Sequence, residues 1–95
     1  MRKIRVIVPF PMTEENRHLR REQLGSLRFG PDTVFDFESV RAAPRNYVSA
    51  SDMTLADFGI MEAGLGAQRD GYDAVCIDTM SDSGVAALRS CLDIP

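Results

Sequence analysis

The chain has 95 residues, 44% hydrophobic and 26% charged, with a formal net charge of −3. This length predicts one small domain that buries roughly 60–65% of its unfolded surface, and the acidic balance argues against nucleic acid as a partner. No apolar run approaches the ~20 residues of a membrane span, and the apolar part of the N-terminus is too short for a secretion signal, so a cytoplasmic protein with no membrane partner is expected.

Ile4-Arg5-Val6-Ile7-Val8 is a β-branched run that predicts a first strand, stopped by Pro9. Pro9-Phe10-Pro11-Met12 reads as a stiff loop, because proline fixes φ and cannot extend a ladder. Thr13 is placed to cap a helix whose first turn carries Glu14 and Glu15, matching the positive end of the helix dipole. That helix is expected to run to about Leu27 and to bury Leu19, Leu24 and Leu27. Its run Arg17-His18-Leu19-Arg20-Arg21 alternates with acidic residues and reads as a solvated face.

Thr33-Val34-Phe35-Asp36-Phe37 alternates as a second strand at the sheet edge, with both phenylalanines on one face. A loop over Glu38–Asn46 leads to a longer helix starting near Ser49 or Ser51. In that helix Met53, Ala56, Ile60, Ala63 and Ala67 form an apolar stripe, and Leu55, Phe58, Met61 and Leu65 form a second one, which predicts burial on two sides. Gly59, Gly64 and Gly66 each cost roughly 1 kcal/mol relative to alanine, a cost that close backbone packing would offset. Asp70-Gly71 closes the helix. Ala74-Val75-Cys76-Ile77 is a short continuous apolar run, as in a parallel strand covered on both faces. Ser81, Asp82 or Ser83 is expected to cap a last helix burying Val85, Leu88 and Leu92, and Ile94-Pro95 to open a fourth strand.

The order β-α-β-α-β-α-(β) predicts an α/β fold, a doubly wound, mostly parallel sheet of three to four strands flanked by helices. Residues 1–95 then form one domain, cut before its fourth strand. Strand ends converge in such a sheet, so the loops Pro9–Met12, Glu38–Tyr47 and Asp78–Ser83 should lie together. There the Thr79 and Ser81 hydroxyls and a helix N-terminus make a cradle for a carboxylate or enolate. Tyr47 and Asn46 could reach the same ligand or cover the core. His18 reads as a surface residue. Cys76 and Cys91 lack metal-type spacing and read as buried thiols; a mid-strand Cys76 would be a poor nucleophile.

Gly71-Tyr72-Asp73-Ala74-Val75 with Ile77, the elbow after it, Asp82-x-Gly84 and Leu92-Asp93-Ile94-Pro95 resemble the aspartate/glutamate/hydantoin racemase superfamily. That group includes allantoin racemases, maleate isomerases and arylmalonate decarboxylases. The opening Val6-Ile7-Val8-Pro9 with Thr13-Glu14-Glu15 is similar too, and the match is vaguer between. The resemblance implies the first half of a two-half α/β enzyme that binds a small carboxylate or hydantoin-like substrate between its halves. It implies no cofactor and no metal. In such racemases one thiol from each half removes or returns the α-proton, and oxyanion donors stabilise the enolate.

The chain departs from that pattern in length, covering only the first half without the other catalytic cysteine, and within the site. The first racemase cysteine is replaced by Thr79, whose neutral hydroxyl is a poor base, so the catalytic residue of this half is unassigned. Val8 and Phe10 stand where asparagines are usual, implying a less polar pocket. Thr79, Met80 and Ser81 are expected to line that pocket with Pro9 and Phe10. Alternatives on the same fold are a one-cysteine enzyme like the arylmalonate decarboxylases and a non-catalytic binding fragment. A receiver-type signalling domain with Asp78 as phosphoacceptor fits less well, because Val8, Pro9 and Phe10 cannot bind Mg²⁺ after the first strand. The 95 residues are expected to have no useful activity alone, and the open edge of the third strand to favour a homo-oligomer.

Overall fold

Three strands, β1 (Arg2–Val8), β2 (Thr33–Ser39) and β3 (Ala74–Ile77), pair in parallel in the order β2-β1-β3. The computed structural model describes residues 1–79 and 81–95, and Met80 lies outside the described residues. Helices α1 (Glu14–Gly25), α2 (Ala50–Arg69) and α3 (Val85–Cys91) follow the strands in turn. The fold is α/β, a three-stranded parallel sheet flanked by helices. Among the described residues no helix is long and apolar enough to cross a membrane.

Alternation along β1 divides the core between two faces. Ile7, wholly buried, packs with Val40, Ile60 and Leu88 under α2 and α3. Val6 and Val8 pack with Phe37 on the α1 side, against the half-buried Met12, Leu24 and Phe35. Phe35 and Phe37 therefore share a face, and Asp36 points the other way, where it accepts from the Tyr72 hydroxyl at 2.6 Å. On that side Arg5 pairs with Glu38 and lies 4.1 Å from the Tyr72 ring centre.

Thr13 caps α1 by accepting the Asn16 N–H at 3.2 Å. The helix ends at Gly25, and the burial expected of Leu19 and Leu27 is not found: they are 49% and 59% exposed. Leu19 and Leu24 are five residues apart, which turns them to different faces. The stripe that meets the sheet is Arg17, Arg20 and Leu24, all half-buried. The arginine run is thus no simple solvated face, since Arg17 donates to the Phe37 carbonyl at 2.9 Å and Arg20 pairs with Asp78. His18 is on the surface, beside Glu22.

Ser49 caps α2 in a capping box with Asp52, which satisfies two end groups at once. One stripe, Ala56, Gly59, Ile60, Gly64 and Ala67, is buried; of the second, Met61 packs against the core, but Leu55, Phe58 and Leu65 stay exposed. Helices α2 and α3 share one side of the sheet, so α2 has a single face to cover. Close approach explains Gly59 and Gly64, where a Cβ would meet the Ala42 carbonyl oxygen at 2.6 Å and Leu88 Cδ2 at 2.2 Å. It does not explain Gly66, whose nearest neighbour would be the Arg69 side chain at 3.4 Å.

Strand β3 was expected to be covered on both faces and is not. Its Val75 and Ile77 meet the α2–α3 layer, whereas Cys76 faces the α1 side, where α1 covers β1 and β2 only. Cys76 is therefore an exposed free thiol rather than a buried one, and Cys91, at the end of α3, is also exposed and free. Ile94-Pro95 forms no assigned strand, but the Pro95 carbonyl accepts the Val75 N–H at 2.9 Å, on the open side of β3.

Candidate functional site

The strand order places the switch point at β1, whose neighbours lie on opposite sides and are reached by opposite crossovers. Crevices outside the carboxyl ends of such strands are where open α/β sheets hold ligands. The loops after β1 and β3 meet there. Pairing of β3 continues one residue past its end, since the Asp78 N–H donates to the Ile7 carbonyl at 2.9 Å. The chain then folds back, with the Thr79 N–H on the Ile77 carbonyl at 3.1 Å.

A row of hydroxyls follows. Thr79 Oγ1 and Ser81 Oγ are 3.0 Å apart, Ser81 Oγ and Ser83 Oγ 2.7 Å, and the Ser81 N–H donates to Thr79 Oγ1 at 3.3 Å. Ser83 is buried beneath this row. Two left-handed residues, Asp82 (φ 55°) and Gly84 (φ 78°), then turn the chain into α3. Glycine is required at 84, because a Cβ there would lie 2.4 Å from Ile60 Cγ2. The expected cap at Ser81, Asp82 or Ser83 is not what forms. Gly84 is the cap residue, with no side-chain cap bond, and its N–H donates to Asp57 Oδ1 of α2 at 2.7 Å. The start of α3 is thus partly occupied by a carboxylate of this chain.

Opposite the hydroxyl row, Pro9 is buried and its carbonyl accepts the Tyr47 hydroxyl. Burial pushes the Tyr47 phenol above its ordinary pKa, so it stays protonated and donating at neutral pH. Pro9, Phe10, Tyr47, Asp78, Thr79 and Ser81 line an open cavity of about 380 Å³. The convergence of three loops expected from the strand order is therefore present, and it brings Pro9, Phe10, Thr79 and Ser81 together. Met80, expected with them, lies outside the described residues.

Two wall residues had a weaker signal in the sequence. In the sequence Tyr47 also reads as a residue covering the core, and Asp78 reads as the start of the converging loop or as a phosphoacceptor; its place as the first residue past the apolar run is the available clue. Asn46 is exposed and does not line the cavity. Val8 does not line it either, being wholly buried on the α1 side, so the apolar wall consists of Pro9, Phe10 and Tyr47.

A second depression of about 370 Å³ opens on the α1 side, with Val6, Arg20, Leu24, Cys76, Asp78 and Thr79 among its walls. The two share Asp78 and Thr79. Arg20 stands beside this common wall, paired with Asp78 and with its guanidinium carbon 5.4 Å from the Phe10 ring centre. Chemically the cavity offers an apolar wall, rotatable hydroxyl donors and one carboxylate whose guanidinium partner lies on the neighbouring depression, which suits a small ligand with one polar end. Among the described residues no group of three or more His, Cys, Asp or Glu side chains gathers where it could hold a metal ion.

All 95 residues superpose on allantoin racemase from Klebsiella pneumoniae with a TM-score of 0.79 and 22% sequence identity. The match covers 100% of this chain and 38% of that protein, so the chain has a racemase-like fold and spans well under half of that protein's length. No family model matches the chain, and no curated protein does.

Proposed function

We propose that the chain forms one half of a cofactor-independent racemase or isomerase acting at a carbon next to a carboxylate or hydantoin-type carbonyl. The observation that carries this reading is the cavity at the switch point of a racemase-like sheet, with Thr79 and Ser81 on one side and Pro9 and Phe10 on the other. Met80, between the two hydroxyls in sequence, belongs to the same proposal.

In this scheme a ligand's flat apolar part lies against Phe10 and Pro9, and a carbonyl oxygen faces the hydroxyls. Proton loss at the neighbouring carbon places negative charge on that oxygen. Thr79 and Ser81 can rotate their O–H groups onto it, and preorganised donors of this kind stabilise an enolate more than its parent. Thr79 stands where the resembling racemases carry a thiol, and a neutral hydroxyl does not take the α-proton. Proton transfer is therefore assigned to a second half facing the cavity, from residues outside these 95 or from a further chain. The exposed Leu55 and Phe58 of α2 support association with more protein surface, as in a homo-oligomer.

Amide shifts of the ¹⁵N-labelled chain during titration with allantoin and with 5-benzylhydantoin test the site. Shifts at Phe10, Tyr47, Thr79 and Ser81 are expected, and their absence with both ligands at millimolar concentration would sink the reading. Optical rotation tests the division of labour. The 95 residues alone should leave resolved 5-benzylhydantoin unracemised, and racemisation above the buffer rate would refute the assignment of proton transfer elsewhere.

A further inference from the structure

We propose that Arg20 is the carboxylate anchor of the loop cavity and that Asp78 holds its place until a ligand arrives. The inference rests on the reading of that cavity as the substrate site, and it selects a monocarboxylate over a neutral hydantoin-like ligand.

Arginines 17 and 20 lie on the stripe of α1 that meets the sheet, and they do different work. Arg17 ties the helix to the Phe37 carbonyl. Arg20 lines the α1-side depression and reaches an acidic side chain 58 positions away, on the wall which that depression shares with the loop cavity. The Phe10 ring, itself a cavity wall, lies 5.4 Å from its guanidinium carbon and orients it by a cation–π contact. The Arg20 side chain is only 24% exposed, whereas that of Asp78 is 42% exposed. A shielded cation therefore meets a solvated anion, and a pair with one side so open is weakly held.

A guanidinium carries five N–H donors, and among the described residues only Nη1 of Arg20 bonds Asp78. A ligand carboxylate brings the same charge and the same acceptor geometry as Asp78. It adds what Asp78 lacks, an apolar body that can lie on Pro9, Phe10 and Tyr47, within reach of the Thr79 and Ser81 hydroxyls. Exchange of one carboxylate for the other keeps Arg20 paired throughout. A neutral ligand offers no charge to replace Asp78. A dicarboxylate meets repulsion, because Asp57, Asp78 and Asp82 already stand around the elbow and α3 start.

The test is titration of the 95-residue protein with phenylacetate and with its neutral analogue phenylacetamide, by calorimetry and amide shifts, in wild type, Arg20→Gln and Asp78→Asn. In wild type, phenylacetate should bind more tightly than phenylacetamide, shift Phe10, Thr79 and Ser81, and weaken as salt is raised. Arg20→Gln should lower phenylacetate affinity by about tenfold or more, as expected for loss of a charge-assisted pair. Asp78→Asn should raise it several-fold by removing the competing carboxylate, and it does not depend on the other variant folding well. Phenylacetamide affinity should change in either variant by less than phenylacetate affinity does. Equal binding of the two ligands in wild type, or weaker phenylacetate binding in Asp78→Asn, overturns the inference and leaves the cavity reading intact. Cavity shifts with neither these two ligands nor the hydantoins overturn both.

Discussion

The Asp57 carboxylate of α2 accepts the Gly84 N–H at 2.7 Å, joining the middle of one helix to the first turn of the next. Helix α3 has no side-chain cap of its own, and Gly84 is buried, so this bond satisfies an amide that water cannot reach easily. The link also sets where the Ser81–Ser83 hydroxyls stand, since they lie one to three residues before the cap. Asp57→Ala should destabilise the protein by about 1–3 kcal/mol, the cost of orphaning a buried donor. Asp57→Asn, which keeps an acceptor, should cost less. Urea denaturation of the two variants decides the matter, and an unchanged midpoint for Asp57→Ala would show that the amide finds another partner.

Two glycines of α2 should respond to alanine with opposite signs. At Gly59 the new Cβ would lie 2.6 Å from the Ala42 carbonyl oxygen, a backbone atom that cannot step aside. Gly59→Ala should cost about 1–3 kcal/mol through overpacking. At Gly66 the nearest atom would be Arg69 Nη2 at 3.4 Å, the far end of a flexible side chain. Gly66→Ala should stabilise by up to about 1 kcal/mol through helix propensity alone. Thermal melts of the pair give both signs in one experiment, and a destabilised Gly66→Ala would mean that α2 packs against more than α3 and the sheet.

Much of the architecture was legible because local rules and tertiary structure agree. The β-branched run before Pro9, the Phe35/Phe37 alternation and the Asp70-Gly71 stop each have one physical reading, and the loop cavity follows from parallel strands once those are placed. The misreadings share a cause, which is that sequence patterning shows which residues are apolar and not what lies opposite them. Leu19, Leu55 and Phe58 have the composition of a buried face but nothing among the described residues covers them. Cys76 sits in an apolar run yet faces a bare part of the sheet. Arg17 and Arg20 carried the opposite error, since long stems can turn inward while their heads reach a carbonyl or a carboxylate. Asp57 could not have been found from sequence, because its partner lies 27 positions away with no local signature.

Acid should act through the start of α2. Hydrogen bonds from the backbone N–H of Ser49, then that of Val48, and then the Ser49 side chain hold the Asp52 carboxyl below its ordinary value. A depressed folded-state pKa contributes stability that is fully present above the unfolded value, and it is lost as pH falls through the folded one. Wild type should therefore weaken through this group below about pH 4. Asp52→Asn should be less stable than wild type at neutral pH, and the gap should close as pH drops. Ser49→Ala keeps the backbone donors, so most of the acid dependence should survive while the helix cap is lost. Denaturation midpoints measured from pH 7 downward check this, and a constant gap between wild type and Asp52→Asn would refute it.

The open flank of β3 makes Cys76 a reporter on the sheet. Its register partner is Val6, so its side chain shares the face that α1 covers only over β1 and β2. With Cys91 also exposed, the native protein should take up two equivalents of a small maleimide, without denaturant, as read by mass. Cys76→Ser should change stability by no more than about 0.5 kcal/mol, as for a surface position, where a two-sided core strand would lose far more. Labelling of Cys91 alone would mean that other protein surface covers this flank in solution. Sedimentation of the unlabelled chain would then show a species larger than 10.5 kDa, and dilution should restore the second equivalent as that species dissociates.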